Sequence, residues 1–130
     1  MQKKILLLGS LGMVGSSIGK LLKESEGQYN LIESSRRDTD LFSYDETKDL
    51  ITETQPDVAI IAAAKVGGIV FNNTKRSDFI LENLKINMNI LESCIPFPNI
   101  KVINLGSSCI YPLDAPNPIS EKEFMNGQLE

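Results

Sequence analysis

The chain has 130 residues, 42% of them hydrophobic, with a net charge of −4 and no histidine. This length suits one domain, and an acidic balance without a block of lysine or arginine argues against nucleic acid and membrane as partners. Without histidine, and without a cluster of cysteines or carboxylates, we predict no metal site.

The chain begins with a predicted strand, a glycine turn and a helix. The apolar run of residues 4–9 predicts the strand, and helical spacing predicts the helix over residues 13–24. Gly9, Gly12 and Gly15 lie at three-residue intervals between and within them. Such glycines allow a tight turn, room for a pyrophosphate and close helix packing, in that order. The pattern favours a dinucleotide site over a plain turn, with the anion at the helix N-terminus.

The second predicted strand, residues 30–34, runs into Arg36 and Arg37. In a nucleotide-binding sheet, the end of this strand meets the adenosine ribose. Two guanidiniums there suit a 2′-phosphate, and therefore NADP. A solvated turn with two surface arginines is the equal alternative, and Glu33 keeps NAD open.

The later elements alternate between strand and helix. We expect a very short third strand at 40–42, a helix at 45–54, a buried strand at 57–64, a loop at 65–74, a long helix at 78–94, a buried strand at 100–105 and a capped helix start at 120–123. This alternation predicts an α/β fold with a doubly wound parallel sheet, the Rossmann fold. Ligands of such sheets bind beyond the carboxyl ends of the strands. The glycine turn, Arg36 and residues 62–64 and 106–109 all fall on that edge.

No apolar run is long enough to span a bilayer, and the chain reaches its first strand at once. We therefore expect no signal peptide and a cytoplasmic protein. Two cysteines, Cys94 and Cys109, do not suggest a disulfide framework. Cys94 lies outside any motif and is predicted to belong to the core.

Three stretches of the sequence resemble motifs of a known enzyme family. They are Gly-Ser-Leu-Gly-Met-Val-Gly-Ser at 9–16, Ala-Ala-Ala-Lys-Val-Gly-Gly-Ile at 62–69 with Asn-Asn-Thr at 72–74, and Leu-Gly-Ser-Ser-Cys-Ile-Tyr-Pro at 105–112. They resemble the extended short-chain dehydrogenase/reductase family and, within it, the GDP-L-fucose synthase family of NADP-dependent epimerase-reductases. The resemblance covers essentially the whole of this chain, but only the front part of a family member. It implies that residues 1–130 form an incomplete NADP-binding Rossmann domain without the C-terminal substrate-binding region.

The resemblance also implies roles for individual residues. Ser107 matches a serine that hydrogen-bonds the C4 oxygen of the substrate, and Cys109 matches an acid/base for epimerisation at C3 and C5. Residues two apart on an extended strand share a face, so both side chains could reach one sugar ring if the strand geometry continues that far. The alternatives are a turn-forming serine and a small buried thiol. Asn83 resembles an asparagine that supports the cofactor loop, and a surface or capping role is equally open. The implied cofactor-binding residues are Gly9, Ser10, Leu11, Gly12, Met13, Val14, Gly15, Arg36, Leu41, Ala62, Ala63, Leu105, Gly106 and Ser108.

The chain departs from the family pattern in three ways. Leu11 stands where the family often has an arginine that contacts the NADP phosphate. Tyr111 is followed four residues later by Ala115, so we expect the family's Tyr-x-x-x-Lys pair to be absent. The family's second acid/base, a histidine, is missing as well.

The expected activity therefore belongs to a whole family member. It is the conversion of GDP-4-keto-6-deoxy-D-mannose to GDP-L-fucose with NADP as cofactor, by a homodimer when full length. We expect the 130-residue chain alone to be inactive. The alternatives are a non-catalytic dinucleotide-binding module and an epimerase or reductase of another NDP-keto-sugar.

Overall fold

A computed structural model describes residues 2–25 and 27–129. Within them, four parallel strands form one sheet in the order β2-β1-β3-β4. The strands are β1 (Lys3–Leu8), β2 (Tyr29–Ser34), β3 (Val58–Ile61) and β4 (Lys101–Asn104). The helices are α1 (Met13–Glu24), α2 (Tyr44–Thr54), α3 (Ile69–Thr74) and α4 (Arg76–Cys94), with single 3-10 turns at Ser108–Ile110 and Glu121–Glu123.

The central strand β1 is apolar along its buried length because both faces of the sheet are covered. Leu6 and Leu8 pack on one face against a buried cluster that includes residues of α2 and α4. Ile5 and Leu7 pack on the opposite face, where α1 contributes Ile18. The predicted doubly wound parallel sheet is confirmed. Cys94 lies in the first of these clusters, as predicted for a core residue.

The carboxyl ends of the strands are in register, which places the connecting loops together. Leu8 at the end of β1 pairs with Ser34 of β2 and with Ile61 of β3. Ile61 in turn pairs with Asn104 of β4. The four loops that follow the strands therefore begin at one edge of the sheet, where ligands of such folds bind.

Local hydrogen bonds explain where α2 begins. The Ser43 hydroxyl oxygen accepts a hydrogen bond of 3.3 Å from the Glu46 N–H. Asp45 and Glu46 place negative charge in the first turn, where the helix dipole favours it. The short strand predicted at 40–42, just before this helix, is wrong. There Asp40 accepts hydrogen bonds from the backbone of Phe42 and Ser43 and forms a turn that leads into α2.

Three other predicted elements need correction. The loop expected at 65–74 contains the short helix α3, because Asn72 donates its side-chain amide to Gly67 O at 2.7 Å and so folds the chain back. The strand expected over 57–64 ends at Ile61, so Ala62, Ala63 and Ala64 lie in the loop beyond it. The helix expected from 120 is one 3-10 turn, because Ser120 Oγ accepts from Lys122 N–H and not from the backbone three residues on.

Strand β4 was expected to be buried and is largely exposed. It pairs with β3 on one side, and within the described residues it has no strand on the other. Ile103 consequently remains 37% exposed. Apolar composition predicted a central strand, but burial depends on the neighbours that the rest of the fold provides. In the part of the chain that the structure describes, no helix combines the length and the apolar character that a membrane crossing needs.

Candidate cofactor-binding site

A cleft of about 330 Å³ opens at the carboxyl edge of the sheet. Seven of the residues predicted to bind a cofactor line it. They are Gly9, Leu11, Gly12, Arg36, Leu41, Ala62 and Ala63. Seven further lining residues were not predicted from the sequence, namely Ser35, Thr39, Asp40, Phe42, Lys65, Glu82 and Ile86. Glu82 and Ile86 come from α4, and no short motif could have indicated that this helix forms a wall of the cleft.

The glycine turn depends on two close backbone contacts. Gly9 has a φ of +85°, which an L side chain rarely adopts, and a Cβ there would lie 2.6 Å from Ala63 N. A Cβ on Gly15 would collide with the carbonyl oxygen of Gly9. Glycine at both positions therefore lets β1, the start of α1 and the loop after β3 meet.

Backbone hydrogen bonds determine which amides face an anion. Gly9 and Ser10 donate their N–H groups to Ser34 O at 2.8 and 3.1 Å, and Gly12 donates to Gly9 O at 3.0 Å. These amides hold the turn together, and the Ser10 side chain is buried beneath it. The N–H groups in the first turn of α1, beginning with Met13, have no intrahelical acceptor. No side chain in the described residues caps this turn, so its amides and the helix dipole are available to a phosphate.

Arg36 is placed at the rim of the cleft by an aromatic contact. Its guanidinium carbon lies 5.7 Å from the centroid of the Phe42 ring. This cation–π contact restrains the side chain on the adenosine side of the predicted site. Arg37 also lines the cleft. Both arginines therefore border one cavity, on a turn where their side chains stay exposed.

The loop after β3 is tied to α4. Lys65 Nζ lies 3.3 Å from Glu82 Oε2, and both residues line the cleft. Asn83, the next residue of α4, hydrogen-bonds the backbone of Lys65. Two roles were left open for Asn83, and its hydrogen bonds to Lys65 favour support of the loop.

A sequence profile of the NAD dependent epimerase/dehydratase family matches residues 5–129. The chain belongs to this family. It is 41% identical over 127 residues to GDP-L-fucose synthase 1 of Arabidopsis thaliana and 39% identical over 129 residues to GDP-L-fucose synthase of Escherichia coli (strain K12). These matches cover 98% and 99% of the chain, but the chain spans only 39% and 40% of those relatives.

A solved structure has the same architecture. GDP-mannoheptose C4 reductase from Campylobacter jejuni, solved with NADP bound, is 29% identical to the chain with a TM-score of 0.86. The match covers 99% of this chain and 38% of the reductase chain. The resemblance to the front part of the GDP-L-fucose synthases and the predicted fold class are confirmed.

The segment after β4 does not have the predicted geometry. Ser107 and Cys109 were expected to share a face if extended geometry continued through them. The strand ends at Asn104, and Ser107 instead caps the 3-10 turn Ser108–Ile110. Its hydroxyl oxygen accepts a hydrogen bond of 3.2 Å from the Cys109 N–H. Ser107 therefore does form a turn, while the alternative of a buried Cys109 is wrong because this side chain is exposed.

Not every predicted site residue lines the cleft. In the described part of the chain, Ser10, Met13, Val14, Gly15, Leu105, Gly106 and Ser108 lie outside its lining. Met13, Val14 and Gly15 form the first turn of α1, and Leu105 follows β4 directly, with its N–H 3.4 Å from Ile61 O. Met13, Val14 and Gly15 adjoin the cleft through the N-terminus of α1. Leu105 adjoins it through its hydrogen bond to the end of β3.

The family's Tyr-x-x-x-Lys spacing does occur once in the chain, at Tyr44 and Lys48. The expectation that the pattern is absent was therefore wrong as a statement about the sequence. Both residues lie in the first turns of α2, where Lys48 Nζ is 6.0 Å from the centroid of the Tyr44 ring. Neither belongs to the lining of the cleft in the described residues. Here the spacing produces a surface cation–π pair on a helix.

Proposed function

We propose that this chain is the cofactor-binding part of an NADP-dependent nucleotide-sugar epimerase-reductase that converts GDP-4-keto-6-deoxy-D-mannose to GDP-L-fucose. The observation that carries the proposal is the convergence of the glycine turn, the uncapped N-terminus of α1 and Arg36 on one cleft. The names of the relatives support the reaction class. In this proposal residues 1–130 are the NADP-binding Rossmann domain.

The residues around the cleft fit NADP. A Cβ added to Gly12 would meet one atom within 4 Å, Gly9 O at 3.3 Å, so the backbone there is open to a pyrophosphate. The first-turn amides of α1 would hold that pyrophosphate, and Arg36 would bind the 2′-phosphate. When bound, NADPH supplies a hydride to a ketone carbon. Leu11 lines the cleft without adding a positive charge, which leaves Arg36 as the main anchor of the 2′-phosphate.

Ser107 and Cys109 would act on the sugar ring. The Ser107 oxygen accepts the Cys109 N–H, which leaves the hydroxyl proton to be donated to a ketone oxygen at C4. Protons at C3 and C5 are acidic because they adjoin that ketone. Ionised to the thiolate, Cys109 could accept one such proton, while the second acid/base, a histidine that this chain lacks, would return a proton to the opposite face. Ser107 would thus assist the reduction, and Cys109 the two epimerisations.

The isolated chain is proposed to bind cofactor without turnover. It contains no histidine for the second proton transfer, and its one Tyr-x-x-x-Lys lies on α2, outside the described lining of the cleft. The same observation favours a second candidate, a non-catalytic dinucleotide-binding module. An epimerase or reductase of another NDP-keto-sugar is the third, and the GDP-mannoheptose reductase similarity favours it.

One experiment separates the first two candidates. The chain replaces the matching segment of the Escherichia coli GDP-L-fucose synthase, and NADPH oxidation is measured with GDP-4-keto-6-deoxy-D-mannose. Turnover that falls on Ser107→Ala supports the proposal. A folded fusion that binds NADPH without turnover overturns it in favour of the binding module.

We also propose that the full-length protein is a homodimer through α4. On the side of α4 opposite the core lies an apolar stripe, with side chains between 48% and 76% exposed. It consists of Leu81, Leu84, Met88, Leu91 and Ile95, alternating at three and four residues, the spacing of a helix-pairing seam. In an antiparallel pair of such helices, Lys85 of one copy lies beside Glu92 of the other, twice by symmetry. This charge complementarity favours a second copy as the occupant of the stripe.

The proposed cellular location is the cytoplasm. The acidic charge and the lack of a basic block support a small-molecule substrate, with neither nucleic acid nor membrane as a partner. Fluorescence microscopy of the tagged protein tests the cytoplasmic location, and an envelope-bound signal would overturn that location.

A further inference from the structure

The turn that carries Arg36 and Arg37 is closed by one carboxylate. Asp38 Oδ2 accepts hydrogen bonds from the Ser35 N–H at 2.8 Å and from the Ser35 hydroxyl at 2.7 Å. The Ser35 hydroxyl oxygen in turn accepts the Arg37 N–H at 3.2 Å. The N–H groups of Asp38 and Thr39 donate to Ser35 O at 2.9 and 3.0 Å. These bonds define the backbone on both sides of the two arginines.

The carboxylate of Asp38 therefore faces its own turn. In NAD-binding sheets an acidic residue after the second strand often binds a ribose hydroxyl. Ser35, Arg36, Arg37 and Thr39 all line the cleft, whereas Asp38, alone among residues 35–39, does not. We propose that Asp38 is a positioning residue for NADP selectivity, which orients the arginine turn toward the cleft. This inference rests on the NADP site of the proposed function.

The electrostatics are consistent with this role. Hydrogen bonds from the Ser35 side chain and backbone, with a smaller contribution from the charge of Arg37, lower the pKa of Asp38 below its usual value. The group stays ionised at neutral pH, and its hydrogen bonds are charge-assisted. Because Asp38 is exposed, water and salt weaken its repulsion of a 2′-phosphate. Its effect on the turn should therefore exceed its direct effect on the ligand.

Two nucleotides that differ only in the 2′-phosphate test the proposal. The purified chain is titrated calorimetrically with adenosine 2′,5′-bisphosphate and with 5′-AMP, and the ratio of the two affinities is recorded. We expect Asp38→Ala to lower this ratio about tenfold, as lost charge-assisted hydrogen bonds do, with 5′-AMP affinity unchanged. Asp38→Asn retains an acceptor oxygen and should keep most of the ratio. Asp49→Ala removes the same charge from an exposed site on α2 and should change nothing.

The outcomes are distinguishable. An unmutated chain without preference for the 2′-phosphate would refute the NADP site itself. A preference that survives intact in Asp38→Ala would refute only the role of Asp38. Weaker 5′-AMP binding with a raised ratio would mean that Asp38 binds the ribose, which also overturns the inference. Circular dichroism checks folding, and Asp38→Leu, which also lacks an acceptor oxygen, replaces the alanine variant if that variant does not fold.

Discussion

Asn83 on α4 clamps the backbone of Lys65 in the loop after β3. Its Oδ1 accepts the Lys65 N–H at 2.9 Å, and its Nδ2 donates to Lys65 O at 2.9 Å. The same Nδ2 donates to Phe79 O at 2.8 Å inside the helix. One side chain thus satisfies both backbone groups of a residue that lines the cleft.

Asn83→Ala should therefore destabilise the fold by about 1–3 kcal/mol, because it leaves partly buried backbone groups without partners. Urea denaturation measures the change. Asn87→Ala, one turn further along α4, is the matched control. Asn87 donates only to Asn83 O within the helix, and its own buried Oδ1 has no partner in the described structure. We expect its removal to cost less than the Asn83 variant, and equal costs would contradict the clamp.

Gly15→Ala should disrupt the glycine turn. The added Cβ collides with the carbonyl group of Gly9, which is backbone, so the end of β1 or the start of α1 must shift. We expect a loss of more than about 2 kcal/mol of stability, in the range of overpacked core sites. Gly106→Ala is the control, because a Cβ there has no atom within 4 Å. A Gly15 variant as stable as the Gly106 variant would show that the turn is less tightly packed than described.

Arg36→Ala should reduce the preference for NADPH over NADH. A lost charge-assisted phosphate contact costs about 1.5–3 kcal/mol, which is roughly a ten- to hundredfold loss of preference. Fluorescence titration of both cofactors measures it. Lys101→Ala removes an exposed cation at the start of β4, the opposite edge of the sheet, and should have no effect. Equal affinity for NADPH and NADH in the unmutated chain would refute the prediction.

The two cysteines should react at different rates with a thiol reagent. Cys94 is buried, and desolvation raises the pKa of its thiol above the usual value, whereas Cys109 is exposed. At about pH 8 we expect Cys109 to react first and Cys94 only after unfolding. Because the folded-state pKa of Cys94 is raised, its contribution to stability is full below the unfolded value and is lost as pH rises through the folded value. Rapid labelling of Cys94 in folded Cys109→Ser protein would contradict this.

Charge reversal should identify the self-association face of α4. Lys85→Glu places like charges beside Glu92 of the second copy and should weaken the dimer about two- to fivefold, within the range of exposed ion pairs. The double variant with Glu92→Lys should restore association. Analytical ultracentrifugation measures the dimer constant, and Val66→Glu, at an exposed apolar site outside the stripe, is the control. A chain that stays monomeric, or variants that all associate alike, would show that the stripe has another occupant.

Local patterns were sufficient to predict much of this protein. The apolar run at residues 4–9 predicted a strand, and β1 confirms it; Ile5 to Leu8 are buried because helices cover both faces of the sheet. The glycines of the first turn predicted close backbone approach because only glycine permits it. The apolar run and the glycine spacing both involve residues close together in the sequence, so a single sequence is enough to detect them.

Other features depended on side-chain contacts, local and long-range, that the pattern of residue types does not specify. Residues 40–42 and 65–74 were assigned from composition, but side-chain hydrogen bonds of Asp40 and Asn72 determine their backbone. The shared face predicted for Ser107 and Cys109 failed because the strand ends before them. The inward carboxylate of Asp38, the wall formed by α4 and the exposure of β4 followed only from tertiary structure. Spacing along a chain specifies local geometry, whereas the partner of a side chain depends on which elements the fold brings beside it.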